Sequence, residues 1–291
     1  MKGIIVINAF LKPEQSVRQA ERLKQEFNER GVEIEIIFDG FARTGIFGGK
    51  VFSSFKSVDF AVYLDKDKFL SAELESLGIR LFNRHFAIRV CDDKGETYLA
   101  LVKNGIPVPD TIFAPLCYGG GKIREKVLDE IAEKLSLPLV VKECYGSMGK
   151  GVYLAETKKD LFSLSEKLVA TPHMYQKYIG HKKGVDIRII VIGGKYFAAM
   201  TRKNENDFRS NVAQGGTVKA ITPSAEFIAV AENCARSLGL DYCGVDILYG
   251  ENDSPIVCEV NSNAFFEGME KATGKNVAKA YVDYIIGEMN K

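Results

Sequence analysis

The feature that most constrains this chain is a pair of β-prone runs near its C-terminus, separated by a cluster of turn-forming residues. The segment 246–261 reads DILY, then GENDSP, then IVCEVN. Two such runs around a cluster rich in Gly, Asn, Asp, Ser and Pro predict a β-hairpin. With the turn centred on 252–253, Asp246 lies directly opposite Glu259. Asn261 lies on the same face, because side chains alternate along a strand.

Two carboxylates opposite each other in a sheet repel and destabilise it. A divalent cation between them would remove the repulsion. The oxygen ligands of Asp246, Glu259 and Asn261 favour magnesium over zinc, and such ligands are typical where a metal also holds nucleotide phosphates. The alternative from these residues alone is a solvated hairpin face with two unrelated acids.

Length and composition exclude several classes of protein. The chain has 291 residues, of which 46% are hydrophobic and 26% charged, as in soluble proteins of two domains or of one domain with subdomains. A net charge of +1 implies no strong attraction to nucleic acid or to a membrane, and no apolar run is long enough to span one. Six scattered cysteines without a C-x-x-C pair are typical of a reduced, cytoplasmic protein.

The first 90 residues alternate apolar runs with an amphipathic pattern. The run over 3–8 superficially resembles a signal peptide, but no cleavage site follows, so a first strand is the better interpretation. The β-α-β order predicts a small doubly wound domain. Its predicted elements are strands over 3–8, 33–38, 60–64 and 79–82 and a helix over 14–30.

The remaining 200 or so residues mix both periodicities. A helix over 92–104, capped by Asp92, is expected to end at the segment Gly105–Pro109. The other predicted helices are 126–135, 159–169, 225–238 and 276–289. The predicted strands are 139–142 and 152–155, an extended segment over 175–179, and a hairpin over 187–200 that turns through Gly193-Gly194.

A glycine-rich loop, Gly-Ser-Met-Gly-Lys-Gly over 146–151, joins two of these strands. Its glycines let backbone N–H groups turn inward around an anion, and Lys150 adds positive charge. A P-loop or a Rossmann loop would open a helix, so those two folds are disfavoured. Lys142 ends the strand before the loop and is well placed to meet a phosphate. A mobile hairpin tip and a snorkelling lysine are the structural alternatives.

Together these segments resemble the ATP-grasp superfamily, and within it the RimK-like amino-acid ligases. The resemblance runs from about Cys91 to Gly274. It is carried by CDDK (91–94), PLVVK (138–142), the loop 146–151, QKYI (176–179), DIR (186–188), DFRSN (207–211) with Gly215-Gly216, GVDI (244–247) and EVN (259–261). It implies an α/β protein in which a doubly wound β-α-β domain is followed by a two-lobed ATP-grasp fold of the α+β type. The implied domains are a pre-ATP-grasp domain (1–90), a first lobe with the glycine-rich lid (91–174) and a second lobe with the metal-binding hairpin (175–291).

The resemblance also implies a role for each matching residue. Lys94 and Lys142 would hold ATP phosphates, and the loop, with Gly146, Ser147, Gly149 and Gly151, would close over the triphosphate. Adenine would meet Gln176, Lys177, Tyr178 and Ile179, and the ribose would meet Asp186. Arg188, Arg202 and Arg209, with Asn211 beside them, would face the transferring phosphoryl group or an acceptor carboxylate. Asp246, Glu259 and Asn261 would bind two Mg²⁺ ions, with Mn²⁺ as the alternative metal.

The implied activity is ATP- and Mg-dependent ligation of a carboxylate to an amine through an acylphosphate. An amino acid such as glutamate would be added to a peptide, protein or small metabolite that bears a carboxylate. The alternative is an ATP-binding regulatory or scaffold module that no longer ligates. Neither a membrane nor a nucleic acid is an expected partner, and the acceptor, the added amino acid and any homo-oligomer are left open.

The sequence departs from the family pattern in two places. Lys177 stands where glutamate is usual. Asn261 is followed by Ser-Asn-Ala-Phe-Phe rather than by a Ser-Pro-Gly-Leu-type segment, and we expect Phe265 and Phe266 to line the substrate pocket. Other residues give further expectations. Arg188, Arg202, Lys203 and Arg209 should make the acceptor pocket cationic, Cys144 should be a packed thiol, and His85, His173 and His181 should be surface or packing residues.

Overall fold

A computed structural model describes residues 1–10, 14–40, 43–55, 57–117, 121–147, 149–210 and 215–291. The strands in these ranges are β1 (Lys2–Asn8), β2 (Glu33–Asp39), β3 (Thr44–Phe47), β4 (Lys50–Ser53), β5 (Phe60–Tyr63), β6 (Arg80–Phe82), β7 (Thr111–Phe113), β8 (Leu139–Glu143), β9 (Val152–Ala155), β10 (His173–Lys177), β11 (Val185–Ile192), β12 (Lys195–Lys203), β13 (Thr217–Ala220), β14 (Tyr242–Tyr249) and β15 (Pro255–Asn261). The helices are α1 (Glu14–Glu29), α2 (Lys68–Ser76), α3 (His85–Asp92), α4 (Lys94–Lys103), α5 (Glu125–Leu135), α6 (Lys158–Leu168), α7 (Ala225–Leu238), α8 (Glu267–Thr273) and α9 (Val277–Met289).

The strands form three main sheets. A parallel sheet in the order β2-β1-β5-β6 confirms the β-α-β prediction for the N-terminal region. An antiparallel sheet β7-β10-β8-β9 follows, and then an antiparallel sheet β13-β12-β11-β14-β15. Strand β10 spans the boundary predicted between 174 and 175, so that boundary falls inside a strand of the second sheet. The three domain ranges stay a prediction.

The parallel sheet and the third sheet share one hydrophobic core. Ile5, Phe27 and Phe60 from the N-terminal region belong to the same buried cluster as Met200 and Tyr281. Phe266 also lies in this cluster and is only 2% exposed. The expectation that Phe266 lines the substrate pocket is therefore wrong, because its ring is used to fill the core between the two regions. Phe265 is half-buried and is not among the residues that line the cleft described below.

The helix expected over 92–104 is present as α4, but its cap was predicted one residue too early and the preceding helix α3 was not predicted. Helices α3 and α4 are separated at Asp93, which has the extended backbone angles φ −96° and ψ 109°. The Asp93 carboxylate accepts hydrogen bonds from the backbone N–H groups of Gly95 and Glu96. Asp93 rather than Asp92 is thus the cap, and it begins α4 with Lys94 at its first position.

No helix within the described ranges is long and apolar enough to cross a membrane.

Candidate active site

A cleft between the second and third sheets gathers most of the residues predicted for the site. Its empty space is about 800 Å³, including the part open to solvent. The predicted residues that line it are Lys94, Lys142, Gly146, Ser147, Gly149, Gln176, Lys177, Tyr178, Ile179, Asp186, Arg202, Arg209, Asp246 and Glu259. Gly151, Arg188 and Asn261 do not line it, and Asn211 lies outside the described residues.

The charges of the cleft are unequal. Six cationic side chains line it (Lys94, Lys142, Lys150, Lys177, Arg202 and Arg209), against three carboxylates (Asp186, Asp246 and Glu259). A concave site with one sign of charge in excess raises the local concentration of ligands of the opposite sign. The cleft as a whole therefore suits a polyanion.

Two buried lysines enter the cleft from different elements. Lys142 Nζ donates to the Cys258 carbonyl at 3.1 Å and to the Tyr98 hydroxyl at 3.3 Å. Lys94 Nζ donates to the Gly146 carbonyl at 2.8 Å and lies 3.4 Å from Glu259 Oε1. Lys94 thus contacts both the glycine loop and Glu259, whereas Lys142 contacts the backbone next to Glu259.

Burial alone would lower the pKa of Lys142, but the groups around it, Cys258, Tyr98 and Glu259, outweigh burial and raise the pKa. Burial lowers the pKa of Lys94, although Glu259 opposes this effect. Burial would likewise raise the pKa of Glu259, and the charges of Lys142 and Lys94 hold that pKa below its usual value. Glu259 is therefore ionised at neutral pH, which is the state that binds cations.

The hairpin β14–β15 brings Asp246 opposite Glu259, as the sequence predicted. The route to this pairing differs from the expected symmetric turn. Tyr249 pairs with Pro255 beside the turn, and a bulge between Asp246 and Ile247 then shifts the register by one residue. The carboxylates face each other because of the bulge.

Asp246 is bound tightly by two arginines. Arg188 donates to both carboxylate oxygens at 2.7 Å, and Arg202 Nη2 lies 2.9 Å from Oδ2. Burial alone would raise the pKa of Asp246, but these guanidinium charges lower it. Arg202 also donates to Asp186, which accepts a further bond from the Ser210 hydroxyl. Arg188 and Arg202 thus point at carboxylates of the protein itself.

The remaining predicted cations also have acidic partners. Arg209 pairs with Asp207 at 2.7 Å and donates to the Gly149 carbonyl of the glycine loop at 3.0 Å. Lys203 is exposed, pairs with Glu205 at 2.9 Å and does not line the cleft. The positive excess of the cleft comes mainly from its lysines rather than from the expected cluster around Arg209.

The acidic hairpin can be tested for its fit to a metal ion. Within the described ranges, no three His, Cys, Asp or Glu side chains come together to hold one. The buried Nδ2 atom of Asn261 has no hydrogen-bond partner there, and a half-turn of the amide would place an oxygen at that position. Two ionised carboxylates, with an amide side chain two residues after Glu259 on the same strand, are the kind of oxygen ligands that suit a hard cation such as Mg²⁺. For Asp246 to act as a ligand, an arginine bond would have to give way.

Sequence reasoning missed the apolar side of the cleft. Val140, Val152 and Leu248 line it, together with Pro109 and Phe208. Strand alternation could have found two of these residues, because Val140 and Leu248 each lie two positions from a polar site residue. Apolar walls of this kind can cover the faces of a planar ring.

Cys144 and His173 are buried packing residues that do not line the cleft. Cys144 is buried, and burial raises the pKa of its thiol to about 11, which suits the expected packed thiol. His173 is buried, and its ring contacts the Tyr175 hydroxyl at 3.0 Å.

Comparison with solved structures defines the class of this fold. The chain superposes on an ATP-grasp ligase, PsnB, solved with a minimal precursor, Mg and ADP, with a TM-score of 0.73 and 16% sequence identity. The superposition covers 99% of this chain and 98% of that one. The fold is therefore the ATP-grasp fold.

The sequence places the chain more closely. Residues 91–285 match the RimK-like ATP-grasp domain. Beta-citrylglutamate synthase B of Homo sapiens is 37% identical over 225 residues, and this chain spans 57% of its length and matches it over 77% of its own. A probable alpha-L-glutamate ligase of Vibrio parahaemolyticus is 34% identical over 291 residues, with 95% of this chain and 94% of that protein covered. The chain belongs to the RimK-like ATP-grasp family.

Proposed function

We propose that the protein is an ATP-dependent carboxylate–amine ligase that forms ADP. The observation that carries the proposal is the cleft, in which two buried lysines, a glycine-rich loop and an opposed pair of carboxylates come together. Phosphoryl transfer needs positioning and neutralised charge more than it needs a protein nucleophile. The cleft offers both.

In this proposal the triphosphate lies between the lysines and the loop. Lys94 and Lys142 neutralise phosphate oxygens, and backbone N–H groups of the loop donate to them. Lys94 and Arg209 hold the loop through its carbonyls, at Gly146 and Gly149. Adenine fits the apolar walls, with Gln176 to Ile179 along its edge, and Asp186 faces the ribose.

The reaction has two steps. A carboxylate oxygen of the acceptor attacks the γ-phosphorus, which gives an acylphosphate and ADP. The amino group of the second substrate then attacks the acyl carbon, expels phosphate and forms the amide. We assign the acceptor carboxylate to Arg209, which lines the cleft while its partner Asp207 does not.

Asp246, Glu259 and Asn261 would hold Mg²⁺, with two ions the proposed number and Mn²⁺ an alternative. When bound, the metal neutralises phosphate charge as phosphoryl transfer proceeds. The solved ATP-grasp ligase with Mg and ADP supports this choice.

We further propose glutamate as the added amino acid and a small molecule or peptide with a carboxylate as the acceptor. Two relatives carry glutamate in their names. The positive excess of the cleft suits anionic substrates. Phe266 does not shape the substrate pocket, because it lies in the core.

The test is a screen for ADP release. Each amino acid is incubated with Mg–ATP, alone and paired with di- and tricarboxylates or short acidic peptides, and products are found by mass spectrometry. We expect ADP only when a carboxylate and an amine are both present. The control is the Glu259→Gln variant on the same panel. A rise in melting temperature with Mg–ATP but no turnover on any pair would favour the ATP-binding module instead.

A further inference from the structure

The bulge in β15 decides whether the two carboxylates of the hairpin meet. From the turn, β14 and β15 pair regularly as far as Ile247 and Val257. Continued without a shift, it would place Asp246 opposite Cys258 and turn Glu259 to the other face of the sheet, because strand side chains alternate. Cys258 is the extra residue that restores the Asp246–Glu259 pair.

The carbonyl of this extra residue is held from helix α4. The Tyr98 hydroxyl donates to the Cys258 carbonyl at 2.5 Å, and Lys142 Nζ donates to the same oxygen at 3.1 Å. Lys142 also donates to the Tyr98 hydroxyl at 3.3 Å. The three groups form a closed triangle, in which Tyr98 is 2% exposed and Lys142 is 4% exposed.

Helix α4 links this triangle to the other buried lysine. Tyr98 lies four residues after Lys94, so the two side chains share one face of the helix. That face presents Lys94 to Glu259, at 3.4 Å, and Tyr98 to the bulge beside it. Two side chains one turn apart on α4 therefore contact Glu259 and the residue before it, Cys258.

We propose that Tyr98 is a positioning residue for the phosphate and metal end of the cleft, an inference that rests on the proposed function. Its hydroxyl holds the Cys258 carbonyl in the bulge and gives Lys142 a fixed partner. Without that hydroxyl, Lys142 alone holds the bulge, and both Glu259 and the Lys142 ammonium lose orientation. Tyr98 itself does not line the cleft.

The experiment compares two Tyr→Phe variants, each of which removes a single buried hydroxyl. Tyr98→Phe is the test. Tyr175→Phe is the matched control, because Tyr175 is 1% exposed and bonds Ser165 and His173 in a separate core that contains Leu139 and Leu161. Calorimetric titrations measure the affinity of each protein for Mg–AMP-PNP and for adenosine, and Mn²⁺ binding is followed by electron paramagnetic resonance.

We expect Tyr98→Phe to weaken Mg–AMP-PNP and Mn²⁺ binding by about five- to tenfold, the effect of about one hydrogen bond. Adenosine, which lacks phosphates, should bind within about twofold of the wild type, a change too small to count as one hydrogen bond. Tyr175→Phe should leave the affinities for Mg–AMP-PNP, adenosine and Mn²⁺ unchanged.

Three results would overturn the inference. Unchanged Mg–AMP-PNP affinity in Tyr98→Phe would show that the hydroxyl positions nothing. An equal loss of adenosine affinity would show a general structural role. Equal losses in Tyr175→Phe would show that any buried hydroxyl has this effect. Wild-type protein that binds neither ligand would instead overturn the proposed function.

Discussion

Asp246 and Glu259 face each other with unequal surroundings. Asp246 is bound by two guanidinium groups and is almost fully buried, whereas Glu259 has one ammonium partner at 3.4 Å. Removing one partner of a buried ion pair leaves the other charge uncompensated, at a cost of about 3–5 kcal/mol. The two carboxylates are therefore not equivalent targets for mutation.

We predict that Asp246→Asn lowers the free energy of unfolding by about 3 kcal/mol, whereas Glu259→Gln lowers it by about 1 kcal/mol or less. Both should abolish ADP release. Urea unfolding and a coupled ADP assay measure the two effects separately. A well-folded Glu259→Gln variant with full ADP release would contradict the metal-binding role of the hairpin.

Asp39 ends β2 close to other acids. Burial, together with the charges of Asp67 and Asp65, raises the pKa of Asp39 to about 6. The folded state therefore holds a proton that the unfolded state releases at lower pH. Between the two pKa values the unfolded state binds fewer protons, so stability falls as the pH rises from about 4 to about 6.

Asp39→Asn removes this penalty. We predict that the substitution stabilises the protein by about 1 kcal/mol more at pH 8 than at pH 4.5, after a discount for solvent screening. Urea unfolding of wild type and variant at both pH values gives the comparison. An equal effect at both pH values would show that Asp39 titrates as in the unfolded chain.

At the scale of elements, Gly184 sets the start of β11. Its φ is +69°, and a Cβ there would lie 2.2 Å from the Asn204 carbonyl oxygen and 2.7 Å from that of Asp207. Gly31, after α1, has nearly the same φ of +70° but nothing within 4 Å. A side chain at Gly31 would meet only the strain of a positive φ, whereas one at Gly184 would also collide with backbone atoms.

Gly31→Ala should cost about 1–2 kcal/mol of unfolding free energy, the strain of a left-handed alanine. Gly184→Ala should cost at least about 2 kcal/mol more, because two backbone carbonyls must move. Chemical unfolding of the two variants tests the difference. Equal costs would mean that the backbone at Asn204 and Asp207 moves aside with little loss of free energy.

The elements show where sequence reasoning works and where it stops. The periodicity of 225–238 predicted α7 with its bounds, and the turn Gly193-Gly194 predicted the β11–β12 hairpin. Helix α3 was missed because the helix was predicted to begin at Asp92, and the capping bonds that begin α4 after Asp93 are visible only in the structure.

The same limit applies to the site. Local patterns named Lys142, the loop and the acidic pair as candidates, because strand alternation and turn residues give their positions, whereas Lys94 came only from the family resemblance. They could not show that Arg188 and Arg202 bind Asp246, since those bonds join three strands of one sheet. They also gave no sign of Tyr98, whose partner lies 160 residues away.

Across the whole molecule, the N-terminal region shares a hydrophobic core with the third sheet and the C-terminal helices. Their apolar residues form one buried cluster, and Asn83 donates to the carbonyls of Tyr242 and Ser262. The terminal helix α9 packs against α1, where Arg30 pairs with Asp283 at 2.5 Å. We infer that the two regions unfold together.

We predict that a fragment of residues 91–291 does not fold independently, because it would expose the core residues that pack against β1 and β5. The full chain should show a single calorimetric transition for these regions. Near-ultraviolet circular dichroism of the purified fragment provides the check. A fragment with native tertiary signals and its own cooperative transition would contradict the shared core.

In the proposed reaction, the cleft activates a carboxylate as an acylphosphate. For the substrate pair found in the ADP screen, the acceptor is labelled with ¹⁸O in its carboxylate, and the released phosphate is analysed by mass spectrometry. We expect one ¹⁸O atom in each phosphate, with ADP and amide formed in equal amounts, because the oxygen that attacks the γ-phosphorus leaves with the phosphate. Phosphate without label, at the same yield of amide, would contradict it.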